Sequence, residues 1–194
     1  ITTFAPSAAS RRAVAAQIVQ PHQIGMVGFF VRLQRQQGLR VAQRGIQARL
    51  TLRPDVVFTY FNMDDPVVGG YTPDKVALRR AISLATDVGA EIRRVRRGQA
   101  VVGQSMVLPH ARGYDPAFRS EMGEHDPARA RALLDMFGYV DRDGDGWREM
   151  PDGRPLVLKK ATQPDQQSRA LDEQWRRDMN ALNVRIEFEP AKWP

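Results

Sequence analysis

The most restrictive pattern in the chain lies near its C-terminus, where two strand-like runs flank one amphipathic stretch of helical period. Pro155 to Ala161 and Val184 to Phe188 read as strands. Between them, about Asp165 to Leu182 reads as a helix carrying Leu171, Trp175, Met179 and Leu182 on one side. A helix that connects two strands of one sheet implies that the strands run parallel with a right-handed crossover. The expected fold class is therefore α/β, a mixed sheet with a C-terminal βαβ unit.

Upstream, local signals place further elements. Val56-Val57-Phe58-Thr59-Tyr60-Phe61 is a β-branched and aromatic run that predicts a buried strand, ended by Asn62-Met63-Asp64-Asp65-Pro66. Thr72-Pro73-Asp74 has the form of a helix start. Ala77, Ala81, Leu84, Ala85 and Val88 follow at helical spacing on one face, with Arg79 and Arg80 outside it. Asp87 predicts the cap of a short helix through Glu91 to Arg97, stopped by Gly98. Val101 to Tyr114 has little period and reads as an extended loop. Asp126-Pro127 opens another helix with Ala130, Leu133, Leu134 and Phe137 facing the core and Gly138 closing it. Asp141 to Arg154 is rich in turn formers.

The chain divides near residue 50. Residues 1–50 contain no acid and are rich in Gln and Arg; they are expected to be a divergent segment of uncertain fold, with residues 51–194 forming part of one lobe. In the first stretch, Met26 to Leu39 has a blurred helical period. Ser10-Arg11-Arg12 faintly resembles a twin-arginine export signal, but Gln17, Gln20 and Pro21 interrupt the apolar run that should follow. No apolar run is long enough to span a bilayer, so no direct membrane insertion is expected.

Several chemistries lack their residues. There is no cysteine, which removes disulfides, thiolate metal sites and cysteine nucleophiles. His22, His110 and His125 are the only histidines, and none stands in a zinc or triad frame; no phosphate loop or GxGxxG is present. No enzyme activity and no cofactor are expected.

Two strings invite binding readings. Asp141-Arg142-Asp143-Gly144-Asp145-Gly146-Trp147-Arg148-Glu149 resembles a calcium loop, with Asp141, Asp143 and Asp145 at positions one, three and five and Asp152 at twelve. However, Pro151, Gly153 and Pro155 lead into a strand where a helix should follow, so a turn in which the carboxylates bind nearby amides is favoured. The alternative is a calcium-stabilised interaction domain. The net charge of +7 and the cluster Arg93, Arg94, Arg96 and Arg97 raise a basic nucleic-acid module as a further alternative. The same arginines oppose the dipole at a helix C-terminus, and no stacking aromatics accompany them, so no nucleic-acid partner is expected.

The order of these segments resembles the extracellular solute-binding proteins of family 5, the oligopeptide, dipeptide and nickel receptors of ABC importers. Phe58-Thr59-Tyr60-Phe61-Asn62 comes first. Val76-Ala77-Leu78-Arg79-Arg80-Ala81-Ile82-Ser83-Leu84-Ala85-Thr86-Asp87 is similar to the family's VRxAIxxAxD helix. Gly98-Gln99-Ala100, Gly113-Tyr114-Asp115-Pro116, the helix from Asp126-Pro127, and Gly138-Tyr139 with Asp141 to Glu149, similar to GYxDxDGDGxxE, then follow in family order. His125 stands where the family has tyrosine before Asp-Pro, and Asn183 where glycine is common.

The resemblance implies part of one lobe of a type II periplasmic-binding-protein fold. It also implies a receptor that captures a peptide or other small solute in the periplasm by closure of two lobes. In the full-length protein the partner would be an ABC transporter permease. The expected cleft residues are Tyr60 and Asn62 at the exit of the first strand, and Gln104, Ser105 and Met106 in the irregular loop.

Overall fold

The computed structural model describes residues 56–120 and 123–191. The readings made for residues 1–50 lie outside the described residues.

The first helix, α1 (Pro73–Ala85), starts where the sequence predicts. Pro73 supplies a helical φ without needing a hydrogen-bond acceptor, and the Val76 N–H donates to the Thr72 carbonyl at 3.0 Å. The helix buries Ala77, Leu78, Ala81, Ile82, Leu84 and Ala85. It ends at Thr86, whose hydroxyl donates to the Ile82 carbonyl. Val88, expected on the same face, belongs to the next helix, α2 (Val88–Arg94), which Asp87 caps by accepting the Ala90 N–H at 2.7 Å. That helix stops three residues before the expected Arg97. Arg97 and Gly98 both adopt positive φ, so the chain reverses there and the Gly98 N–H closes onto the Ile92 carbonyl.

Helix α3 (Pro127–Met136) is capped by Asp126 and buries Ala130 and Leu134. It packs against α1, where Ala81, Ala85 and Ala130 keep the contact short of bulk and Leu78 and Leu134 fill the space beside them. Gly138, at φ 81°, turns the chain out of the helix.

The predicted βαβ unit is present. Strand β1 (Val157–Thr162), helix α4 (Gln166–Asn180) and strand β2 (Arg185–Pro190) follow in order. The strands pair in parallel, with Leu158 opposite Ile186 and Lys160 opposite Phe188. Antiparallel pairing occurs only as a bridge between Glu149 and Pro155 among the described residues. Leu158, Ile186, Met179, Leu182 and Val184 join α1, α3, Tyr139, Met150 and Leu156 in one hydrophobic core. Each fully buried aliphatic side chain contributes roughly 1.5–3 kcal/mol.

The expected buried strand at Val56 to Phe61 is not formed. The segment is irregular, Phe58 is 59% and Tyr60 75% exposed, and only Phe61 is packed on the core. A β-prone run becomes a strand when a neighbour satisfies its backbone and covers one face, and no described strand lies beside this one. The following turn does form. The Asn62 side chain accepts the Asp64 N–H, and Asp65 Oδ1 accepts those of Val67 and Val68. Lys75 and Arg79 of α1 then clamp this loop through the carbonyls of Pro66, Val67, Val68 and Gly70.

Candidate functional site

The five expected cleft residues fall on two irregular segments. Tyr60 projects into solvent, and Asn62 spends its carboxamide oxygen on the Asp64 N–H at 3.1 Å. On the second segment, Gln104 is half-buried and its Oε1 accepts the Ser120 N–H at 2.9 Å. A Cβ at position 123 would stand 2.4 Å from Gln104 Nε2, so Gly123 makes room for this side chain. The Ser105 hydroxyl donates to the Val107 carbonyl and accepts the Val107 N–H. Met106 is 63% exposed.

Gln104 and Ser105 line a shallow cavity of about 40 Å³ together with Tyr114, Phe118 and Arg119. That is room for water but far short of the ~300 Å³ or more that usually encloses a small ligand. Tyr60, Asn62 and Met106 do not line it. The segment nonetheless offers apolar surface at Met106, Val107, Tyr114 and Phe118, all more than two-fifths exposed.

The acidic loop is built by local hydrogen bonding. Asp141 accepts the N–H groups of Gly144 and Gly146, Asp143 that of Asp145, and Asp145 that of Trp147. Gly144 and Gly146 sit at φ 79° and 88°, where a side chain would be strained. These are the bonds of the predicted carboxylate turn. Carboxylate oxygens of Asp141, Asp143, Asp145 and Glu149 converge within 4.8 Å of one another, a donor set of the kind a divalent cation takes. Glu149 is the member that sequence reasoning missed. It is buried and accepts the Arg142 N–H at 2.7 Å, whereas Asp152, the expected twelfth position, lies outside the group and pairs with Arg154. Arg185 of β2 brings a cation to the loop, bonding Asp145 and lying over the Trp147 ring at 5.6 Å.

Helix α4 carries a polar seam that its period did not announce. Asp172 accepts hydrogen bonds from Lys160 Nζ at 2.9 Å and Thr162 Oγ1 at 2.7 Å. The Lys160 ammonium lies 5.6 Å from the Trp175 ring centre and 5.7 Å from that of Phe188, so ring faces and a carboxylate share its charge. Asp178, also buried, accepts the Asp87 N–H at 3.1 Å and the Gln174 amide at 2.8 Å. Burial pushes its carboxyl pKa up, and the neighbouring Asp87 charge adds to the shift.

Of the arginine cluster, Arg96 is buried, while Arg93, Arg94 and Arg97 are exposed. Arg96 bonds Glu91, Arg94 bonds Gln174 and Arg93 faces Asp87. No helix among the described residues is long and apolar enough to cross a membrane.

The described residues form a parallel βαβ unit packed with a helical pair, and solved structures with the type II periplasmic-binding-protein fold match the chain. An oligopeptide-binding protein OppA is 26% identical over 67% of this chain and 20% of its own, with a TM-score of 0.58. A periplasmic oligopeptide-binding protein of an ABC transporter from Thermotoga maritima is 21% identical over 65% of this chain and 25% of its own, at 0.55. NikA from Brucella suis, solved with Fe(III)-EDTA, is 23% identical over 60% of this chain and 23% of its own, at 0.53. The matched region thus spans a quarter or less of each of these proteins. Comparison with curated protein sequences gave no match. The family model "Bacterial extracellular solute-binding proteins, family 5 Middle" matches residues 11–194, and the chain belongs to this family. That match also takes in residues 11–50, which the motif order alone did not reach.

Proposed function

We propose that this chain is part of the substrate-binding component of an ABC importer, which captures a peptide or peptide-like solute in the periplasm and hands it to a membrane permease. The observation that carries the reading is family membership over residues 11–194. The described geometry is compatible with binding without chemistry. Its polar side chains are held in structural hydrogen bonds, and the loops that carry the candidate ligand contacts lie at the surface. Tyr60, Asn62, Gln104, Ser105 and Met106 are proposed to face the ligand in the full-length receptor, where the second wall of the cleft comes from outside this chain.

A thermal-shift screen of the full-length receptor against peptides, nickel complexes and oligosaccharides tests this. Peptides should raise its melting temperature by mass action. Stabilisation by oligosaccharides or nickel complexes alone would replace the peptide assignment, and stabilisation by none of the three classes would remove the receptor reading. Alanine at Tyr60, which is exposed, should then weaken binding of the hit without lowering the melting temperature of the free protein.

A further inference from the structure

Lys75 and Arg79 stand four residues apart, so they share one face of α1. Both reach back over the loop that precedes the helix. Lys75 Nζ donates to the carbonyls of Pro66 and Val67, each at 2.7 Å. A single Arg79 nitrogen, Nη1, donates to those of Val68 and Gly70 at 2.6 and 2.8 Å. Four loop carbonyls thus turn toward two cations, and hydrogen bonds from charged donors are roughly twice as strong as neutral ones. From there the backbone carries the hold onward. The Gly70 N–H donates to the Met63 carbonyl at 3.0 Å, the Gly69 N–H to that of Asp65 at 2.8 Å, and the Asp65 N–H to that of Asn62 at 3.2 Å. On the other side of Asn62, Phe61 packs on the core, but Val57, Phe58, Thr59 and Tyr60 are exposed. Among the described residues, the exit that carries Tyr60 and Asn62 is therefore fixed mainly from its C-terminal side.

We propose that Lys75 and Arg79 are positioning residues for ligand recognition, which hold Tyr60 and Asn62, through loop 63–70, in the orientation that a bound peptide meets. This rests on the receptor reading above and on the place it gives Tyr60 and Asn62. Both cations are spent on loop carbonyls, so they act on the peptide through the loop. A loop released from them samples further conformations, and the apparent affinity falls with the fraction that remains competent to bind. Ordering the loop then becomes part of the cost of binding. The geometry also says which replacement is tolerated. Arg79 makes both contacts from one nitrogen and does not use its planar fork, so a lysine ammonium can take over its role and a methionine cannot.

Calorimetric titration of the full-length receptor with the tightest-binding peptide of the thermal-shift screen, beside hydrogen exchange at Val67 to Gly70, tests the assignment. In Arg79→Met and in Lys75→Met, exchange at these amides should quicken. The peptide should bind several-fold more weakly to both at a temperature where they remain folded, and Arg79→Lys should restore most of the affinity. Lys75→Met, which keeps half of the clamp, carries the test if Arg79→Met does not fold. Arg79→Met should also cost less affinity when Tyr60 is already alanine, a coupling that lost stability alone would not produce. Unchanged exchange, a loosened loop with unchanged affinity, or additive losses in the double variant would overturn the proposal and leave the receptor reading standing. Failure of the unaltered receptor to bind any peptide would remove that reading and this inference with it.

Discussion

Arg148 Nε donates to the backbone carbonyl of Leu182 at 2.7 Å, which ties the turn after α3 to the end of α4. The same guanidinium bonds Asp135 Oδ1 at 2.5 Å and the Tyr139 carbonyl, and the Arg148 N–H donates to the Asn183 carbonyl. One buried side chain thus satisfies acceptors from three parts of the fold. Arg148→Met should destabilise the chain by about 3 kcal/mol, since buried carbonyls left unpaired cost roughly 1–3 kcal/mol each. Arg148→Lys should recover less than half of that, because a single ammonium cannot span acceptors arranged for a planar fork. Urea denaturation of both variants measures this.

Helix α3 offers an internal comparison of its two faces. Leu134 is fully buried between α1 and the sheet layer, while Met136 is 76% exposed. Leu134→Ala should cost about 2–5 kcal/mol and Met136→Ala no more than about 0.5 kcal/mol. Equal losses in thermal melts would contradict the packing of α1 on α3.

The loop before α1 has no room for a side chain at Gly69. A Cβ there would lie 2.4 Å from the carbonyl oxygens of both Met63 and Asp65, and backbone cannot step aside as a flexible side chain can. Gly69→Ala should lower stability by roughly 1–3 kcal/mol. Gly70→Ala meets no atom but sits at φ 84°, so it should cost about 1 kcal/mol of backbone strain. The order of the two melting temperatures is the readout.

Asp141 holds two glycine amides, and no other side chain among the described residues takes its place. In buffer containing a chelator, Asp141→Ala should lose about 1–2 kcal/mol through those amides alone. An unchanged melting temperature would mean that the loop does not depend on its own hydrogen bonds.

Elements whose causes are local can be read directly from the residues. Asp87, Asp126 and Asp165 each mark a helix start because a cap acts within three residues, whereas Thr72-Pro73 does so through the proline, Thr72 making no side-chain cap bond. Leu158, Lys160 and Thr162 share one face of β1 at the strand's period of two, and Lys160 and Thr162 reach Asp172 of α4. The run from Val56 to Phe61 misleads because strand propensity measures fit to a neighbour, and no strand lies beside it among the described residues. The polar links are out of reach for a different reason. Asp87 and Asp178 are 91 residues apart, and no periodicity connects them. Arg148 sits in a turn motif where its charge looks solvent-bound, yet it is buried. As for the candidate ligand residues, their irregular setting is readable, but a cleft is a property of two facing surfaces, which no local pattern reports.

Strands β1 and β2 pair only with each other among the described residues, so the outer edge of each has no strand partner among them. An edge without a strand partner is a template for strand addition by another copy. The exposed Lys159 and Glu189, paired at 3.3 Å, are weak guards against it. Where such edges stay open, self-association rises with concentration, so light scattering should be recorded alongside every melt.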